Sequence, residues 1–109
     1  YFDVDFPLKL NDSHYQMLVA LIKESKAIYE KQFKETEFYV LLYPTYEGPS
    51  DWSFVKFKKM LDKENIKYID LFNVINFGPE HTLVGDGHPN KETSELIGKE
   101  LFKRILEMK

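Results

Sequence analysis

Two short apolar runs separated by a helical pattern constrain the fold of this chain more than any other feature. The runs occupy 38–43 and 66–72 and are rich in β-branched and aromatic residues. Between them, apolar residues recur at helical spacing from Ser50 to about Glu64. Strand, helix and strand in this order indicate a right-handed crossover between parallel strands. The sequence therefore predicts an α/β layer, and the continuous apolar run at 38–43 predicts a strand covered on both faces.

Two further helical patterns flank this unit. The first runs from 13 to about 33 and begins with a capping-box pattern, Ser13-x-x-Gln16; the second runs from 91 to about 107 behind the N-cap Asn90. The apolar residues that we expect to face the core are Tyr15, Leu18, Ile22, Tyr29 and Phe33 in the first helix and Leu96, Ile97, Leu101, Phe102 and Ile105 in the second. The pattern predicts a three-layer, flavodoxin-like α/β fold, in which helices flank a small parallel sheet.

Composition limits the domain count and the classes of partner. The 109 residues are 43% hydrophobic and 16% aromatic, which predicts one folded α/β domain spanning 1–109. The formal charge is -3 and no basic block occurs, so a nucleic-acid partner is excluded. No run approaches the ~20 apolar residues of a membrane span. Because cysteine is absent, a disulfide framework and a thiolate zinc site are excluded too.

The first ten residues alternate between apolar and polar side chains. This period predicts a strand, and Pro7 restricts it to a sheet edge or an extended arm. Asn11 then stands directly before a helix, as a capping residue or as an oxyanion donor. Because a small sheet leaves its edges exposed, the sequence also predicts a homodimer through a sheet edge.

The loop Val84-Gly85-Asp86-Gly87-His88-Pro89-Asn90 carries the strongest chemical signal. Its glycines, its proline and the following N-cap favour a defined backbone that holds one imidazole just ahead of a helix. A histidine acts as a general base when a carboxylate fixes its tautomer, and Asp86 is near enough in sequence to do this for His88. In the alternative interpretation, Asp86 is a turn residue and His88 packs under the helix.

Three other groups of residues are candidate sites. Ligands in open α/β sheets bind beyond the carboxyl ends of strands, so Tyr43, Thr45 and Tyr46 are either pocket walls or a solvated loop. The lysines of the middle helix form either a solvated face or a phosphate-binding site; they are Lys56, Lys58, Lys59 and Lys63. The set Glu80, His81, Asp86 and His88 matches no metal-binding spacing, so the sequence predicts neither a metal site nor a cofactor.

The run Asp86-Gly87-His88-Pro89-Asn90, followed by Leu96-Ile97-Gly98-Lys99-Glu100-Leu101, resembles the last conserved block of the SGNH (GDSL-type) esterase and acyltransferase superfamily. The preceding strand, helix and strand resemble the elements that lead to that block, so the resemblance covers about 13–109. It implies that His88 is a catalytic base and that Asp86 orients it. The commonest family spacing is Asp-x-x-His, with Gly85 at that position here, so the resemblance implies the Asp-x-His form.

The serine block of that superfamily has no counterpart in this sequence. No Gly-Asp-Ser run occurs, and all five serines fit helix caps or helix faces; they are Ser13, Ser25, Ser50, Ser53 and Ser94. The chain also begins with tyrosine. We therefore expect the C-terminal part of a larger SGNH-like domain, which acts on an ester or acyl small molecule or carbohydrate once the N-terminal half supplies the serine. The alternative is a non-catalytic α/β interaction module.

Overall fold

The computed structural model describes residues 10–44 and 53–109, and within them it has the predicted α/β character. The elements in chain order are α1 (Asp12–Gln32), β1 (Val40–Leu42), α2 (Phe54–Lys63), β2 (Tyr68–Asp70), a 3₁₀ helix (Pro79–His81) and α3 (Lys91–Glu107). Residues 1–9 of the predicted arm, and Thr45, Tyr46 and Ser50, lie outside the described residues. The described residues belong to two compact units, one of 10–39 and 53–67 and the other of 40–44 and 68–109.

The two strands of the second unit pair in parallel, as the sequence predicts. Val40 lies opposite Tyr68, and one further backbone bond joins Leu71 N–H to the Leu42 carbonyl at 3.0 Å. The prediction that β1 is covered on both faces is wrong, because Leu41 is 40% exposed. In the described part of the chain the sheet has two strands, and so narrow a sheet leaves edge side chains open to solvent. The three-layer flavodoxin-like arrangement and the homodimer stay predictions.

The first unit is built from α1 and α2, which contact each other. Its buried apolar residues come from both helices and the segment that follows α2; they are Tyr15, Val19, Phe57, Leu61 and Ile66. The Tyr15 hydroxyl accepts a hydrogen bond from Ser53 N–H at 2.7 Å, which fixes the start of α2 against α1. The C-terminal half of the predicted α1 stripe is more open: Phe33 is exposed and packs its ring against Tyr29, with centroids 5.0 Å apart.

The prediction that Asn11 caps α1 is confirmed, whereas the other predicted capping residues of these two helices are replaced. The capping box of α1 is formed by Asn11 and His14 instead of Ser13 and Gln16: the Asn11 side chain accepts from Ser13 N–H and the His14 ring accepts from Asn11 N–H, both at 3.0 Å. Helix α2 begins at Phe54 behind Ser53, and not behind Ser50, as the Ser53 hydroxyl accepts from Lys56 N–H. Several polar residues precede each helix, and the geometry of the first turn decides which one caps it.

Helix α3 has the predicted bounds and the predicted N-cap. The Asn90 side chain accepts from Thr93 N–H at 3.0 Å. Of the predicted core positions, Ile97 is buried and Leu101 is half-buried, whereas Leu96, Phe102 and Ile105 are exposed. At 3.6 residues per turn, position 102 lies about half a turn away from the buried face of Thr93 and Ile97. That face also carries Arg104, whose guanidinium donates to the Asp70 carbonyl and so ties α3 to the end of β2.

Candidate functional site

The segment between the 3₁₀ helix and α3 folds back on itself as a narrow antiparallel loop. Thr82 pairs with Pro89, and the backbone bonds on either side run from Leu83 N–H to the His88 carbonyl and from Asn90 N–H to the His81 carbonyl, both at 2.9 Å. In this arrangement Thr82 and Pro89 form no backbone hydrogen bond with each other. Pro89, which has no N–H, therefore occupies a position at which the pairing needs no N–H donor.

The tip of this loop is a turn that needs a glycine. Asp86 N–H donates to the Leu83 carbonyl at 3.0 Å, and Gly85, the third residue of the turn, has a φ of 74°. Residues with a Cβ rarely adopt this left-handed region. Gly85 thereby sets the direction in which the chain presents Asp86.

We expect Gly85→Ala to lower the free energy of unfolding by about 1–2 kcal/mol, the cost of a left-handed backbone for a residue with a Cβ. An added Cβ would meet no atom within 4 Å, so the cost is purely conformational. Gly87→Ala is the matched control, because that glycine has equal space and no positive φ of this kind. Urea unfolding monitored by circular dichroism measures both. Equal costs for the two variants would contradict a role for the turn geometry.

Asp86 and His88 form the pair that the sequence predicts. The same carboxylate oxygen of Asp86 accepts from the backbone N–H of His88, at 3.0 Å, and contacts Nδ1 of its ring at hydrogen-bonding distance. The side chain of His88 is 82% exposed and that of Asp86 is 48% exposed. Asp86 is therefore also a turn residue, as the alternative interpretation predicts. The prediction that His88 packs under α3 is wrong, because its side chain is exposed.

The ring of His88 and then its backbone N–H hold the pKa of Asp86 below its usual range, because both donate to the carboxylate. A carboxyl whose pKa is lowered by folding stabilises the folded state at pH values above its unfolded pKa, about 3.9. That contribution is lost as the pH falls through the lowered value. The Asp86–His88 contact is thus present throughout the neutral range and is lost in acid.

The tautomer that each imidazole requires separates His88 from the other two histidines. Nδ1 of His14 accepts from Asn11 N–H and Nδ1 of His81 accepts from Gly78 N–H, both at 3.0 Å, so these rings carry their proton on Nε2. A carboxylate can only accept, so Nδ1 of His88 carries the proton. Its lone pair lies on Nε2, on a ring that is mostly open to solvent.

Among the described residues, no other predicted site residue forms a hydrogen bond with this pair. Asn11 caps α1, and Tyr43 is 36% exposed at the end of β1. Among the described serines, Ser25 donates to the Leu21 carbonyl of its own helix at 2.8 Å, and none bonds to the His88 ring. In the described ranges no three acidic or histidine side chains could share a metal ion, and no helix is long and apolar enough to cross a membrane.

One feature of this unit was not predicted from the sequence. After β2, the loop at 72–77 forms a cavity of about 270 Å³ that is open to solvent. Its lining residues are Phe72, Asn73, Ile75, Asn76 and Phe77. The sequence gives this segment no periodicity and no motif. The one indication in the sequence is that two asparagines and two phenylalanines occur within these six residues.

No protein-family model, curated protein or solved structure matches this chain. The relation to the SGNH superfamily consequently stays a hypothesis that rests on the residues of the Asp86–Asn90 block.

Proposed function

We propose that this chain is the C-terminal part of an SGNH-type serine ester hydrolase or acyltransferase, and that His88 is its general base. One observation carries the proposal: the Asp86 carboxylate holds Nδ1 of His88 and leaves Nε2 directed to an open surface. A carboxylate in this position fixes the tautomer and stabilises the imidazolium formed when the base takes a proton.

In the proposed reaction the nucleophile is a serine hydroxyl supplied by the missing N-terminal half of the domain. Nε2 of His88 takes the hydroxyl proton as the serine oxygen bonds to the ester carbonyl carbon. The imidazolium then gives this proton to the departing alcohol as the bond between carbonyl carbon and alkoxy oxygen breaks. Water or an acceptor alcohol, deprotonated by the same Nε2, releases the acyl group and restores the serine. Asp86 stays ionised throughout.

The tautomer of His88 tests the first step of this proposal on the chain as it is. We expect long-range ¹H–¹⁵N NMR spectra at neutral pH to show the neutral form of His88 with its proton on Nδ1, and His14 and His81 with theirs on Nε2. Asp86→Asn removes the ionised acceptor and is expected to shift His88 toward the Nε2–H form that free imidazoles favour. If His88 has its proton on Nε2 in the unsubstituted chain, Asp86 does not orient it and the proposed base is lost.

A further inference from the structure

The loop at 72–77 combines two uncharged hydrogen-bonding side chains with apolar walls. The amides of Asn73 and Asn76 are exposed, and no other described residue forms a hydrogen bond with either side chain. Each amide offers two donors and one acceptor. Phe72, Ile75 and Phe77 are half-buried and provide the apolar surface of the same cavity.

The absence of charge among these five lining residues restricts the ligand. A carboxylate or phosphate that entered the cavity would lose hydration without meeting a cation among these five described residues. The volume of about 270 Å³ lies just below the usual range of small-molecule pockets, about 300–1,000 Å³. It therefore suits a single ring better than a long acyl chain. The ligand that fits both restrictions is neutral, carries several hydroxyl groups and has an apolar face for an aromatic ring.

The cavity and the Asp86–His88 loop are joined through a short series of contacts. The Phe77 ring packs against the His81 ring, with centroids 5.7 Å apart. The His81 carbonyl accepts from Asn90 N–H, and Thr82 pairs with Pro89, the residue that follows His88. One wall of the cavity thus packs against the residue at which the narrow loop that carries the proposed base begins, in the same compact unit.

We propose that this cavity binds a neutral pyranose-type ring, with Asn73 and Asn76 bonded to its hydroxyls and an apolar face of the ring against Phe72 or Phe77. That the ring belongs to an ester substrate of His88 rests on the proposed function. Binding of the ring to the cavity does not.

The test is titration of the ¹⁵N-labelled chain with methyl β-D-glucopyranoside, monitored by ¹H–¹⁵N NMR. We expect saturable shifts at residues 72–77, including the side-chain NH₂ signals of both asparagines, with a Kd on the order of 1 mM for so small a ligand. Cyclohexanol, a ring with a single hydroxyl, is expected to bind more weakly. The absence of saturable shifts at 72–77 with the glucoside would overturn the proposal.

Matched variants identify the groups that bind. Asn73→Ala and Asn76→Ala are each expected to raise the Kd about 2- to 10-fold, the effect of one lost hydrogen bond. Both residues are exposed, so neither change should affect folding. Gln32→Ala removes an exposed amide that does not line the cavity and should leave the Kd unchanged. An unchanged Kd in both asparagine variants would also overturn the proposal.

His88→Ala keeps this test separate from the proposed esterase. It is expected to bind the glucoside with the Kd of the unsubstituted chain, because the imidazole does not line the cavity. If the chain binds the glucoside but the parent protein does not hydrolyse the ester p-nitrophenyl acetate, the catalytic proposal is lost and the ring site remains. If the parent protein hydrolyses this ester but the chain does not bind the glucoside, the ring site is lost and the catalytic proposal remains.

Discussion

Replacing His88 by alanine in the parent protein is expected to lower kcat/KM for p-nitrophenyl acetate by about 10⁴-fold or more. In the proposed mechanism, loss of the base leaves the serine hydroxyl protonated when it must attack, and single losses within such triads cost about 10⁴- to 10⁶-fold. Asp86→Asn should cost less, between about 10²- and 10⁴-fold, since half of the Asp86 carboxylate is open to solvent and water partly replaces its effect. The chain alone, without the nucleophilic serine that the N-terminal half is proposed to supply, should be inactive.

His14→Ala is the matched control for this measurement. It removes an imidazole that only caps α1, so it tests whether any histidine at all gives background hydrolysis of an activated ester. Urea unfolding of each variant separates lost chemistry from lost folding. If the parent keeps its activity without His88, the Asp86–Asn90 loop is a structural turn, and the non-catalytic interaction module becomes the better description.

The parts of the structure that local sequence determines are the parts that were predicted well. Helix α3 begins and ends where expected because Asn90, directly before it, is a strong N-cap and the apolar period is clear up to position 107. The Asp86–His88 contact joins side chains two residues apart, so the spacing alone nearly defines it. Parallel pairing of the strands followed from the helix between them.

Features that depend on distant partners were predicted less well. The apolar run at 38–43 predicts six strand residues, whereas β1 has three, because pairing with β2 sets the ends of the strand. Phe102 is exposed because the opposite face of α3, which includes Arg104, packs toward β2, where Arg104 donates to the Asp70 carbonyl. The cavity at 72–77 and the required tautomer of His81 come from loop geometry, which has no period that a sequence could reveal.

Leu71→Ala is expected to lower the free energy of unfolding by about 2–5 kcal/mol, which is the usual cost of emptying a buried leucine site. Leu71 is fully buried, at 0% exposure, and its backbone N–H extends the pairing of the two strands. A chain of this size has a total stability of about 5–15 kcal/mol, so the loss is large. Urea unfolding gives the value, and Ile69→Val, with an expected cost of about 0.5–1.5 kcal/mol, provides a milder core variant.

Leu106→Ala is the control for this change, because Leu106 is exposed in α3 and alanine favours a helix. Its effect should stay within about 0.5 kcal/mol. A cost for Leu71→Ala as small as that of the control would mean that this side chain is not packed in the core.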